Sequence, residues 1–297
     1  MSAVKSAERH FRVVQVSDTH LSETHAYFID NFDVFVEEMR ALKPDLIVHT
    51  GDISFNGPVR SEDLSFAKTQ LGRLPSPVLT LAGNHDLGEA PRFSRLDQPI
   101  NDARMLAWKN TIGPMWWSHD IGNWRLIGLD TALMASGLHE ESAQLEFLHA
   151  QLASRGNRQG MVFMHMPPFE TDPNDERATT ACIPHPARRA LLDTCRDAGV
   201  KVIACGHLHV YRRLRYQGMG IVWAPPTAMV NFERQWRKWR RWPCPGYLIW
   251  TLDGRKISHE LVEPRMMIAQ DTSRWTDVGG TTTNMPPRSL TRHHLPD

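Results

Sequence analysis

Residues 75 to 89 read PSPVLTLAGNHDLGE, a short apolar run that passes straight into an amide, an imidazole and a carboxylate at Asn84, His85 and Asp86. Taken alone, such a cluster fits a turn, because Gly and Asn tolerate positive φ and Asp bonds its own backbone. The reading changes if other strand ends carry the same chemistry.

They do. The β-branched run from Arg12 to Ser17 leads into Asp18-Thr19-His20, and Leu46 to Thr50 leads into Gly51-Asp52. GMVFMH ends on His165, and VKVIACGH runs into Gly206-His207-Leu208-His209. A further strand is expected over Trp124 to Asp130. Apolar residues at helical spacing predict helices over Asp30 to Lys43, Ser61 to Leu71, Glu141 to Ser154 and Pro186 to Asp197. Strands alternating with helices predict βαβ units and a largely parallel sheet. In such a sheet the ligand crevice lies beyond the carboxyl ends of the strands, so the five clusters converge on one place. The later segments VYRRLRY, GIVWAPP and YLIWTLDG with KISHEL read as antiparallel strands that complete the domain as a second sheet.

Carboxylates and imidazoles suit divalent first-row metals, and a set without cysteine argues against a structural zinc site. Asp18, His20, Asp52, Asn84, His165, His207 and His209 are too many donors for one tetrahedral ion. Two ions sharing one carboxylate would use them, the arrangement of metal-assisted phosphoryl hydrolysis. If GHLH is extended, His207 and His209 point the same way roughly 6.6 Å apart while Leu208 enters the core.

The ordered pattern D-x-H, GD, GNHD, H and GHLH from Asp18 to His209 resembles the calcineurin-like metallophosphoesterase superfamily, over about residues 11 to 262. Within it the chain looks most like bacterial class III cyclic-nucleotide phosphodiesterases and glycerophosphodiesterases. The resemblance implies an α/β fold, a four-layer αββα sandwich with two mixed β-sheets. It implies two divalent ions, Mn or Fe with Zn as an alternative. Asp18, His20 and His209 would hold one ion and Asn84, His165 and His207 the other, with Asp52 bridging. His85 would act on the leaving oxygen as a catalytic residue, and Asp86 would orient it. The fourth block departs from the common H-H-P-P or H-H-H-P, since Met164 and Met166 flank His165.

The function so implied is hydrolysis of a phosphodiester by a dimetal-bridging hydroxide, on a cyclic nucleotide, a glycerophosphodiester or a phospholipid. A phosphomonoesterase, a nuclease and a non-catalytic metal-binding scaffold are the competing readings. Thirty-four Lys plus Arg against 33 Asp plus Glu leave a net charge of +1, so no extended nucleic-acid groove is expected. The 297 residues, 41% hydrophobic, suffice for a large core. The four cysteines show no paired spacing and read as reduced thiols, and no apolar leader or spanning run is seen, so a cytoplasmic location is expected.

Residues 1–263 are expected to form the catalytic domain, and 264–297 a polar tail that is poorly ordered or draped on the surface. The seven histidines 25, 49, 119, 139, 149, 185 and 259 read as structural, and the tryptophans at 108, 116, 117, 124, 223 and 250 as packing residues. The one strongly biased segment is NFERQWRKWRRWPCPGY, residues 231–247. If residues 232–242 are helical, Phe232, Trp236 and Trp239 line one face between basic flanks. Trp236, Trp239, Arg237 and Arg240 are then candidate contacts to substrate or to an anionic membrane at its inner face. Inward-packed tryptophans and nucleic-acid stacking are the alternatives.

Overall fold

The computed structural model describes residues 10–91, 94, 98–177, 179–274 and 285–290. Strands β1 (Phe11–Val16), β2 (Leu46–His49) and β3 (Val78–Thr80) alternate with helices α1 (Ile29–Leu42) and α2 (Ser61–Leu71). A single turn, α3 (Asn84–Leu87), and α4 (Asp102–Thr111) follow. Next come β4 (Trp117–Ile121), β5 (Trp124–Gly128), α5 (His139–Ala153), β6 (Gln159–Phe163), α6 (His185–Asp197) and β7 (Val202–Cys205). The chain closes with β8 (Arg212–Tyr216), β9 (Met219–Trp223), β10 (Met229–Val230), α7 (Phe232–Trp239), β11 (Tyr247–Asp253), β12 (Lys256–Val262) and β13 (Gln270–Asp271).

Two mixed sheets result, ordered β12-β11-β1-β2-β3 and β4-β5-β6-β7-β9-β8, with a two-stranded β10-β13 pair beside them. Strands buried on both faces explain the near-continuous apolar runs. Val14 and Val16 of β1 face α1, α2 and α4, whereas Val13 faces the other sheet. In β6, Met161 and Phe163 join the core between the sheets, while Val162 packs towards α5 and α6. The layers are therefore helix, sheet, sheet, helix. One buried amide crosses the middle: Gln15 donates to the Cys205 carbonyl in the opposite sheet and accepts from Trp250 Nε1.

The sequence reading expected the antiparallel segments to form a second sheet of their own, and they do not. β8 and β9 extend the second sheet through the parallel β7-β9 pair, and β11 with β12 joins the first sheet antiparallel to β1. The reason is burial, since beside β1 the side chains of Leu248, Trp250 and Leu252 of β11 face the inter-sheet core. Two elements have weak sequence signals. α4 buries only Met105 and Trp108, and β4 only its ends, Trp117 and Ile121, around exposed Ser118, His119 and Asp120.

The tail beyond Pro264 drapes over the body wherever it is described. Asp271 pairs with Val230, and Arg288 bonds Ala26 and Thr24 through its backbone. Residues 275–284 and 291–297 of that expectation lie outside the described residues.

Candidate metal centre

The loops after β1 and β2 run side by side, with Asp18 N donating to the Gly51 carbonyl, His20 N to Asp52 and Leu21 N to Ile53. That ladder brings Asp18, His20 and Asp52 together. The segment after β7 adds His209, so that one ligating atom from each of these four lies within 4.8 Å of the others, and Asp52, His165 and His207 form a second such set. Asp52 belongs to both. Its Oδ2 lies 3.7 Å from His20 Nε2 and 3.3 Å from His165 Nε2, while Oδ1 accepts from His85 N. Asn84 joins the second set, with Oδ1 3.1 Å from His165 Nε2.

Main-chain carbonyls decide which imidazole nitrogen faces the centre, because a carbonyl can only accept. His165 Nδ1 donates to Thr50, His207 Nε2 to Thr180, and His209 Nδ1 to Met229. The neutral rings therefore turn bare nitrogens inward. His165 Nε2 faces His207 Nδ1 at 3.2 Å, and His209 Nε2 lies 3.4 Å from His20 Nε2 and 3.3 Å from Asp18 Oδ1. Lone pairs converging on lone pairs repel unless a cation or a proton lies among them. The residues present thus fit two divalent ions, and the donors are oxygen and nitrogen only.

Backbone strain concentrates here. Asp18 (φ 55°), His20 (45°), Asp52 (53°), His207 (69°) and His209 (53°) all occupy the left-handed region, at a cost of about 1 kcal/mol or more each. This corrects the extended reading of GHLH. His207 and His209 do not lie along a strand; paired left-handed turns send the two rings to different donor sets, while Leu208 stays buried. Two glycines are required by close approach. A Cβ on Gly83 would stand 2.1 Å from Asp52 Oδ1, and one on Gly206 would stand 1.9 Å from Ser17 Oγ.

Charge is shared among the buried groups. Burial raises the Asp18 and Asp52 carboxyls, but His209 and His165 respectively outweigh it and hold both below the usual carboxylate range. Burial lowers His207 to about 3 and His49 to about 3. His165 goes the other way: burial opposes its charge, yet Asp52 lifts it to about 9, so a proton stands there when no cation does.

His85 lies against Asp52 and His20. Its Nδ1 donates to the Phe55 carbonyl at 2.9 Å, and its ring meets His20 edge-on at 4.7 Å. Asp86 does not orient it, contrary to the expectation from the resemblance. The Asp86 carboxylate accepts from Ile53 N, Ser54 N, Ser54 Oγ and Gly83 N, stapling the loop after β2 to the loop after β3. Phe55 holds the ring instead. Sequence reasoning missed Thr50, Phe55, Thr180 and Met229, because each acts through a carbonyl that every residue type possesses. His49 keeps its structural reading: it bonds Thr19 Oγ1 and accepts from Gly51 N, bracing two of the site loops. Met164 and Met166 are buried in the second core.

The segment from 232 to 242 splits the face expected of it. α7 forms with Asn231 as its N-cap, but Trp239 turns inward against Trp223 at 5.6 Å. Trp236 stays outside, with Phe232 and Trp242 around it. Arg237 and Arg240 are exposed, the former paired with Glu233 and the latter over the Trp236 ring. None of these four residues is among the converging donors.

Two acceptor cages sharing one carboxylate, at the strand ends of an αββα sandwich, define a metal-dependent phosphoric ester hydrolase. The chain belongs to the family described as calcineurin-like phosphoesterase, which it matches over residues 11–211. It is 31% identical over 227 residues to the glycerophosphodiester phosphodiesterase GpdQ of Enterobacter lignolyticus, covering 73% of this chain and 77% of that one. It is 26% identical over 245 residues to the 3',5'-cyclic adenosine monophosphate phosphodiesterase CpdA of Escherichia coli, covering 77% and 80%. Among solved structures, the purple acid phosphatase PPD1 of yellow lupin shares the fold, with a TM-score of 0.63, 17% identity and coverage of 89% of this chain and 53% of that one.

Proposed function

We propose that the protein is a phosphodiesterase whose substrate is a diester monoanion, either a small one such as a cyclic nucleotide or glycerophosphodiester, or a phospholipid. The observation that carries this reading is the carboxylate content of the cages. Asp18 and Asp52 are the only carboxylates in the two converging donor sets among the described residues. Two divalent ions held there keep two positive charges after both carboxylates are counted. A hydroxide nucleophile and a diester monoanion neutralise those two, whereas a monoester dianion leaves the assembly negative. The phosphodiesterase activities for which the GpdQ and CpdA relatives are named support the same choice.

Asp18, His20, Asp52 and His209 would hold one ion, and Asp52, Asn84, His165 and His207 the other, with Mn or Fe preferred and Zn as the alternative. Such ions supply neutralisation of charge on the phosphoryl oxygens and water acidified enough to attack near neutral pH. The remaining work falls to the chain. Thr50, Thr180 and Met229 keep the inward nitrogens of His165, His207 and His209 bare. His85 is the group for the leaving oxygen: with Nδ1–H held by Phe55, Nε2 is the atom that would carry the proton of the imidazolium form to the departing alkoxide, leaving the neutral ring.

The test is a panel on protein reconstituted with Mn, Fe or Zn, comparing cyclic nucleotides, glycerophosphodiesters, phospholipids and monoesters. The reading requires the highest kcat/KM on a diester. A monoester turned over faster than every diester would overturn it.

A further inference from the structure

The described residues expose seven large apolar side chains, and Trp236 (39%), Trp242 (63%), Met266 (76%) and Ile268 (57%) account for four of them. These four come from adjoining segments. Phe232, Trp236 and Trp242 form one ring cluster, with centroids 6.3, 4.9 and 6.5 Å apart. The strand-to-tail segment bearing Met266 and Ile268 is tied at one end to the residues just after α7 and at the other to its first residue. Glu263 pairs with Arg241 at 3.5 Å, and Asp271 accepts from Phe232 N at 3.1 Å. The other three exposed apolar residues, Val59, Leu106 and Leu145, lie on separate elements.

The same patch is locally basic in a chain that is nearly neutral. Residues 232–242 carry Arg234, Arg237, Lys238, Arg240 and Arg241 against Glu233 alone. Lys238 is turned to the Glu170 carboxylate, Arg241 to Glu263 and Arg237 to Glu233, while Arg234, Arg237 and Arg240 are all exposed around the rings. Exposed indoles ringed by arginines match a surface that is apolar within and anionic at its boundary. A second copy of this chain would set arginines against arginines, which disfavours a symmetric dimer through this face.

The patch is also joined to the catalytic centre. Gln235, buried on the inner side of α7, donates to the carbonyls of Leu208 and His209. Met229, two residues before Asn231, accepts from His209 Nδ1. On the other flank Lys238 holds Glu170, at the start of the loop whose Thr180 carbonyl takes His207 Nε2. A surface bound by α7 therefore lies beside the two histidines of GHLH.

From this we infer that Trp236, Trp242 and the arginines around them dock the enzyme on an anionic lipid surface, presenting its centre to a phosphodiester in that surface. The inference rests on the phosphodiesterase reading for its substrate, although docking itself does not.

The experiment is co-sedimentation of metal-loaded full-length protein with vesicles of phosphatidylcholine alone, or of three parts phosphatidylcholine to one part phosphatidylserine. Wild type is expected to sediment with the mixed vesicles at low salt, and to be released by high salt. Trp236→Ser with Trp242→Ser is expected to weaken binding about tenfold or more, and Arg234→Gln with Arg240→Gln by a similar factor. Metal content and thermal unfolding report that each variant is folded. Equal sedimentation of wild type and variants, or none by wild type, would overturn the inference. Trp-dependent binding of a single-stranded oligonucleotide without vesicle binding would overturn it in favour of nucleic acid. Vesicle binding by a wild type that cannot hydrolyse a soluble diester would overturn the functional reading and leave the docking surface standing.

Discussion

Asp86→Asn separates two roles for the carboxylate that follows the catalytic imidazole. In the structure Asp86 Oδ1 accepts from Ser54 N at 2.8 Å and Ser54 Oγ at 2.7 Å, and Oδ2 from Ile53 N at 3.1 Å and Gly83 N at 2.8 Å. An amide keeps one acceptor. Its best orientation leaves the oxygen to Ile53 and Gly83 and turns the NH₂ to Ser54, whose hydroxyl can rotate to accept. The Ser54 main-chain N–H is then buried against another donor. One charge-assisted bond lost, plus one buried donor left unsatisfied, amounts to about 3 kcal/mol. That loss falls on the staple between the loops that carry Asp52 and Asn84, and outer partners of this kind are worth about 10- to 100-fold in metal affinity. The expected result is a lower unfolding midpoint and metal affinity weakened about 10- to 100-fold. With metal in excess, turnover should show no added dependence on leaving-group pKa. Isothermal titration with Mn²⁺, together with rates on a series of aryl diesters, reads both. Normal metal affinity combined with a rate loss that grows as the leaving group worsens would refute the staple and restore Asp86 as the partner of His85.

Three further outcomes are expected. Asp52→Asn should abolish turnover and lower bound metal as read by elemental analysis, since a neutral amide cannot serve both donor sets; two bound ions and full activity would contradict the shared cage. His85→Ala should retain its metal and slow hydrolysis by ~10² to 10⁴-fold, most for poor leaving groups; loss of metal without leaving-group dependence would make His85 a ligand. Asp130 is buried, and that burial raises its carboxyl to about 7, one hydrogen bond from Ala132 N notwithstanding; its Oδ2 has no hydrogen-bond partner among the described residues. Because the folded state binds this proton more tightly than the unfolded one, the contribution of Asp130 to the stability of the metal-free protein is greatest below pH 4. It should fall as pH rises towards 7, by up to about 4 kcal/mol. In urea unfolding of chelator-treated protein, the stability of wild type relative to Asp130→Asn should decline across that window, and a difference independent of pH would remove Asp130 as its source.

What the sequence by itself determined is the local part of the molecule. The helix over Ser61–Leu71 begins and ends where its periodicity does, and β1, β2, β6 and β7 fall where β-branched runs precede polar residues. The donor blocks were legible for the same reason: each sits at a strand end, and imidazoles with carboxylates in that order have few other uses. Tertiary structure decided everything that depends on a distant partner. It sent β11 back to β1 with β12 outside it, which buries Trp250 against the opposite sheet. It turned Trp239 inward onto Trp223 while Trp236 stayed out, although one helical face was expected to hold both. It assigned Asp86 to the loops, and gave His85 to the carbonyl of Phe55. It placed His207 and His209 in left-handed turns that their own propensities oppose. Period and residue type are written along the chain. Which carbonyl meets which imidazole is set only when two sheets close over a core, because a main-chain oxygen leaves no mark in the sequence.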